Sequence, residues 1–309
     1  MSIAHSPPVD TPTKIVFNRF LRHRLALVSA VLLGLLVLLS TAAPLIEAAL
    51  DLDADAVNLF GRYSAPSMEH WLGTDELGRD VFIRLLYGGR VSLFVGLTAT
   101  ITAAIIGTTI GIMSGYIGGR VDALFMRVTD GVISLPVLPL LIVLAAIDLG
   151  KVGLPESMVD NENVSLYRIV AIVALVGWTT VARLVRATTL ALKTRPFVLA
   201  AKAQGAGSLR IMLRHILPNL ASPIIVATTL SVGNVILLES VLSFLGLGIQ
   251  PPLPSWGNLL TGAQETIWEA PGLAFYPGLL IFVTVIAFNF IGDGLQDALD
   301  PRAQDRRGG

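Results

Sequence analysis

The chain has 309 residues, 53% of them hydrophobic and only 14% charged, where a soluble domain carries about 25% charged residues. Lys plus Arg and Asp plus Glu balance at 22 each, so the zero net charge gives no reason to expect nucleic acid as a partner. No cysteine is present, which excludes disulfides, thiol catalysis and cysteine-based metal sites, and His5, His23, His70 and His215 lack metal-ligand spacing. The composition points to the bilayer as solvent.

In chain order, Lys14, Arg19, Arg22 and Arg24 precede the first apolar run, and small residues follow it at 40–43. A cleaved signal peptide has this pattern. The run continues to Ile46, however, and its 22 residues suit a spanning helix better. Six spans are predicted: Leu25–Ile46, Val91–Ile117, Val121–Ile147, Ile169–Leu192, Leu217–Leu245 and Leu273–Ile291. The fold class is therefore an all-α membrane protein with six transmembrane helices. Pro136, Pro223 and Pro277 fall inside spans, where neighbours can re-satisfy the freed backbone groups. Gly96, Gly107, Gly111 and Gly115 stripe the second span and read as close helix packing, with a gate hinge as the alternative.

With the N-terminus inside, 16 of the 22 Lys and Arg residues fall in inner segments and 6 in outer ones. Cationic loops stay on the cytoplasmic side, so both termini are predicted to be cytoplasmic. The expected organisation is a tail at 1–24, one transmembrane domain at 25–300 and a second tail at 301–309.

The first outer loop is placed at 47–90. Within it, Gly73, Thr74, Asp75, Gly78, Arg79 and Asp80 read as a capped turn. Thr74 or Asp75 can N-cap a short helix running toward Arg90, and Arg79 and Asp80 offer local ion pairs. Charges and amides inside spans are costly and mark functional positions. Asp130, Asn234, Glu239 and Asn289 qualify, with Asp293 near the inner end of the sixth span; each reads as an interhelical hydrogen bond, and Asn234 and Glu239 are also the candidates for a translocation path.

A basic segment, Arg183 to Pro218, separates the fourth and fifth spans. Pro196 suits the first turn of a helix. Ala200, Ala201, Ala203 and Ala206 keep that helix slim, and Gly205 and Gly207 suit a sharp turn. Ser208 can cap a second short helix, Leu209–Ile216, ending before Leu217-Pro218. The product is a helix–turn–helix on the inner surface, which on these grounds either touches lipid headgroups or docks another protein.

Leu199-Ala200-Ala201-Lys202-Ala203-Gln204-Gly205, followed by Leu217-Pro218, resembles the EAA loop of ABC importer permeases. Leu199 stands where that pattern has Glu, and His215 where it has Ile. Three further stretches resemble the dipeptide/oligopeptide permeases of the C type: His70 to Leu93, Leu242 to Gly257, and Gly292 to Arg302. The resemblance implies a type I importer permease in a prokaryotic inner membrane. It implies a coupling loop at 193–218, with Leu199, Ala200, Ala201, Lys202, Gly205 and Pro218 contacting an ATPase subunit. The implied partners are a homologous B-type permease, two ABC ATPase subunits, a periplasmic or lipid-anchored substrate-binding protein, and membrane lipids. The clasp at 73–80 would then be structural or a contact for the binding protein. ATP and Mg would sit on the ATPase subunits, with no cofactor on this chain.

None of the four lysines lies in a Gly-x-x-x-x-Gly-Lys-Ser/Thr setting, so nucleotide hydrolysis is expected elsewhere. No catalytic or metal-ligating residue is assigned. The expected function is a permease subunit importing small peptides by alternating access. An ion-gradient-driven secondary transporter is the alternative, although the inverted repeat it would show is not evident.

Overall fold

A computed structural model describes residues 11–151, 155, 161 and 163–300. The predicted tail at 301–309 and the first ten residues lie outside the described residues, as does most of the segment between 152 and 160. Among the described residues the chain is helical, with one isolated bridge, Thr74 to Asp80, and no named strand.

Helices α1 (Pro12–Arg22), α2 (Arg24–Thr41) and α3 (Ala43–Leu50) open the chain. His23 separates the first two, and its Nδ1 accepts a hydrogen bond from Ala26 N at 3.1 Å as the cap of α2. The first predicted span therefore divides at Ala42, and Pro44 sits in the first turn of α3.

Helix α4 (Val81–Ile117) starts ten residues before the predicted second span and takes in the end of the predicted 47–90 loop. Its 37 residues extend about 55 Å, against a hydrocarbon core of about 30 Å. Its N-cap is Asp80, whose Oδ1 accepts from Ile83 N at 3.0 Å. The capping roles proposed for Thr74 and Asp75 are thus corrected, and so is the separate short helix. The carboxylate nearest the true helix start takes the free N–H groups.

The predicted third span is not one straight helix. It consists of α5 (Gly119–Ser134) and α6 (Val137–Ala145), which meet at 88°. Leu135 is extended (φ −81°, ψ 137°), the conformation forced on a residue preceding proline. Pro136 then has no N–H to carry the ladder across. Pro223 and Pro277, by contrast, do sit inside continuous helices.

Helix α7 (Val164–Leu192) is followed by α8 (Pro196–Ala203) and by α9, a continuous 37-residue helix from Ser208 to Phe244. The expected second short helix does not stop at Pro218. It runs into the next span through a π-helical turn, Ile211–Ile216, in which Leu217 N bonds to Met212 O. Widening the turn accommodates a proline that cannot donate. Gly207, not Ser208, occupies the N-cap position, and no side chain caps it. Helix α10 (Gly272–Leu299) ends the described chain. Among the described residues, five helices are long and apolar enough to cross a membrane, or six if α5 and α6 form one span.

Close approach of backbones sets the packing. A Cβ on Gly107 would lie 2.5 Å from Trp178 O, and one on Gly111 2.6 Å from Ala182 O. One on Gly115 would lie 2.9 Å from Arg186 O. The glycine stripe is therefore the groove in which α7 lies along α4, as small-residue packing requires. Gly96 plays the same part against Ile236 of α9. α10 runs antiparallel to α9, with Gly233 against Val285 and Gly292 against Leu230, and its end meets Ala26 at Gly294. The start of α2, the end of α10 and the 193–218 segment thus share one end of the bundle.

Candidate functional site

At that end, Pro196 opens α8 and Gly205 closes the turn after it with φ +82°. That left-handed conformation disfavours any residue with a Cβ. Nothing lies within 4 Å of where a Gly205 Cβ would stand, so the turn is open to its surroundings. Val198 and Ala201 are the buried residues of α8, and Val198 joins a core of Ile112, Val185, Ile211, Ile216 and Leu220. Ala201 is 8% exposed, whereas Leu199 is 53% exposed. Ala200 and Lys202 are also exposed. The two alanines of the motif therefore do different work. Ala201 lets the helix sit close on its own bundle, and Ala200 belongs to the outward face. Phe197, Leu209 and Leu213 are also large, apolar and exposed in the 193–218 segment, as Arg210 and Arg214 are exposed beside the two leucines in the chain. Pro218 is exposed at the exit of the π turn.

At the opposite end the 73–80 turn is tied internally. Asp75 Oδ1 accepts from Leu77 N at 2.9 Å and Arg79 N at 3.0 Å, and Oδ2 accepts from Arg79 Nε at 2.8 Å. Arg84 Nε approaches the same oxygen at 3.5 Å. Asp80 Oδ2 holds His70 Nδ1 at 2.9 Å. Thr74 Oγ1 donates to Gly61 O and accepts from Ser64 N. Gly73 and Gly78 have φ of +81° and +74°, and a Cβ there would strike Ser64 O and Asn58 O. Thr74, Asp75 and Asp80 are buried and their acceptors are engaged within the chain. What they do chemically is fold the 51–80 segment onto the head of α4.

The two candidate path residues part company. Glu239 is fully buried: Ser92 Oγ donates to Oε2 at 3.2 Å and Ser243 Oγ to Oε1 at 2.7 Å. Asn234 lies on the exposed side of α9. Of the other polar residues in the spans, Asn289 bonds its own helix at Val285 O. Asp130 pairs across to Arg183 of α7. Among the described residues no three His, Asp or Glu side chains come together as a metal site.

Comparison with known sequences decides the family. Residues 107–305 match the binding-protein-dependent transport system inner membrane component, and residues 11–66 match the N-terminal domain of oligopeptide transport permease C. The chain belongs to the ABC importer permeases. It is 39% identical to a dipeptide transport system permease protein of Alkalihalophilus pseudofirmus, over 96% of this chain and 93% of the relative. An oligopeptide transport system permease protein of Bacillus subtilis is 37% identical over 92% and 88%. A glutathione transport system permease protein of Pectobacterium atrosepticum is 37% identical over 98% and 95%.

This permease is thus a multi-pass membrane component of an importer, and the secondary-transporter alternative is set aside. Sequence reasoning missed the partners of its buried groups. Ser92, Ser243 and Trp256 around Glu239 carry no periodic or spacing signal. Nor does the pairing of Arg186 with Asp122, whose Arg186 Nη2 to Asp122 Oδ2 distance is 2.6 Å. The 16-to-6 charge asymmetry singles out Arg183 and Arg186 only as members of a basic loop.

Proposed function

We propose that this permease subunit moves small peptides through an ATP-driven importer, driven by ATPase subunits that dock on the 193–218 segment. One observation carries the reading: the exposed apolar residues Phe197, Leu199, Leu209 and Leu213, interleaved in the chain with Lys202, Arg210 and Arg214, at the end of the bundle where α2 starts and α10 ends. Such a surface is too large to leave facing water and too basic for the lipid interior. The cation asymmetry supports placing this end, and both tails, in the cytoplasm. Leu199, in the place of the usual Glu, makes the docking face apolar. Ala200, Lys202 and Gly205 present it, Ala201 seats it, and Pro218 passes movement of α8 into α9.

A homologous B-type permease would complete the pathway, and an extracytoplasmic binding protein would deliver substrate at the clasp end. Peptides are favoured as substrates because the similar permeases are named for dipeptide, oligopeptide and glutathione transport. ATP and Mg belong to the separate ATPase subunits. The test is co-purification with candidate ATPase subunits, repeated with Gly205→Asp. Retention of the ATPase by the native chain, and loss of ATP-driven uptake in the variant, is expected. A native chain that binds no ATPase, or a variant with intact uptake, would refute the reading.

A further inference from the structure

Arg183 Nη2 of α7 donates to Asp130 Oδ1 of α5 at 2.6 Å, yet the side chains are 49% and 64% exposed on the surface of this chain. Their depth makes that exposure informative. The Gly111 contact with Ala182 O puts Arg183 level with Gly111, six residues inside the end of α4 at Ile117. That is about 9 Å along the helix axis. Asp130 is eleven residues into α5. At this level α4 belongs to a charge-free run from Val91 to Ile117. That run is about 40 Å long, so a hydrocarbon core of about 30 Å centred on it takes in Gly111 near its inner edge. A short aspartate reaches the headgroups less readily than a long lysine, so an exposed ion pair here is better served by a polar cleft than by lipid.

The surface beside it is concave. A groove of about 410 Å³ runs from Arg183 between the α5–α6 bend (Val132, Val137), α7 (Val176, Thr180) and α9 (Leu238). Residues on both sides of the 88° bend at Pro136 line it, Val132 from α5 and Val137 from α6. Largely apolar walls, with the Arg183 cation in the lining and its partner Asp130 bonded to it, match the chemistry of a short peptide with free termini.

Resting on the importer reading above, we propose that this groove is a peptide station on the translocation path. The peptide α-carboxylate takes the Arg183 guanidinium and its α-ammonium takes Asp130, each replacing the other residue of the pair. No bond is made or broken. The exchange keeps both protein charges compensated, so a zwitterion passes without leaving either one bare.

The native chain has no cysteine, so single-cysteine variants report without background. Thr180→Cys lines the groove. Ile105→Cys is the control, 63% exposed at the same level on the apolar stripe of Phe94, Leu97 and Ile101. In the assembled transporter in proteoliposomes, a charged methanethiosulfonate should modify Thr180→Cys at least about tenfold faster than Ile105→Cys, because only the first meets water. Trialanine should slow that reaction, N-acetyl-trialanine-amide should not, and Arg183→Gln should remove the protection. Thr180→Cys as inert as the control, meaning that lipid or the partner permease covers this face, overturns the proposal. So does equal protection by the blocked peptide, or none by trialanine. An assembled complex with ATP-driven uptake and an inert Thr180→Cys would overturn this inference alone and leave the importer reading standing.

Discussion

Ser92 of α4 donates to the Glu239 carboxylate of α9 at 3.2 Å, and the same Ser92 oxygen accepts from Trp256 N at 3.1 Å. Ser243 fills the other carboxylate oxygen and accepts from Ile249 N at 3.0 Å. One buried acid therefore fastens α4, α9 and the 246–262 segment together. Trp256 locks the arrangement by donating Nε1 to Leu85 O at 3.0 Å.

Glu239→Leu is expected to strand the Ser92 and Ser243 hydroxyls, at about 1–3 kcal/mol for each unsatisfied buried group. Thermal denaturation of the detergent-solubilised complex should show a clear loss, smaller for Glu239→Gln, which keeps an acceptor. A native melting temperature with transport abolished would instead make Glu239 a path residue.

Gly111→Val should be worse tolerated than Gly131→Val. The first drives a side chain into Ala182 O and Val185, and the second meets nothing within 4 Å. Overpacking costs about 1–3 kcal/mol or more where backbone blocks the way. Yields of folded protein by size-exclusion chromatography separate the two.

Asp75→Ala removes the acceptor that engages Arg79 and faces Arg84, which is itself buried. Breaking a buried pair by deleting one partner costs about 3–5 kcal/mol. Limited proteolysis should then cut within the 51–80 segment while sparing α4. An unchanged digestion pattern would show that the clasp holds without its central carboxylate.

At the docking face, Ala200→Leu and Ala201→Leu should fail differently. Ala201→Leu forces a larger side chain into a buried position and lowers stability by about 1–3 kcal/mol. Ala200→Leu points outward, leaves the fold intact and weakens ATPase retention in a pull-down. Leu199→Glu, also exposed, should shift stability by no more than about 0.5 kcal/mol. Its coupling is expected to change only modestly, as an ATPase assay in proteoliposomes would register.

Much of this permease is legible in its residues because the bilayer imposes length and polarity on each span independently. The 91–117 run, the run ahead of Leu192 and the glycines at 107, 111 and 115 each declare a helix or a helix contact without knowledge of a neighbour. The Pro196 start and Gly205 turn are equally local, since a missing N–H and a positive φ are properties of single residues. What the chain alone could not decide depends on two elements meeting. That Pro136 breaks a helix and Pro223 does not is seen only in the structure, because both prolines lack the same N–H. Asp80 rather than Thr74 caps α4, and the backbone of the 73–80 turn is bonded instead to the segment from Asn58 to Ser64. Ala200 and Ala201 are indistinguishable as residues, and only the bundle against which α8 lies makes one a surface and the other a core. The same holds for charge: Asp130 and Glu239 are both acids in apolar runs, and their neighbours alone leave one at the rim of a groove and enclose the other among serines. Burial is a relation between segments distant in sequence, and no local pattern carries it.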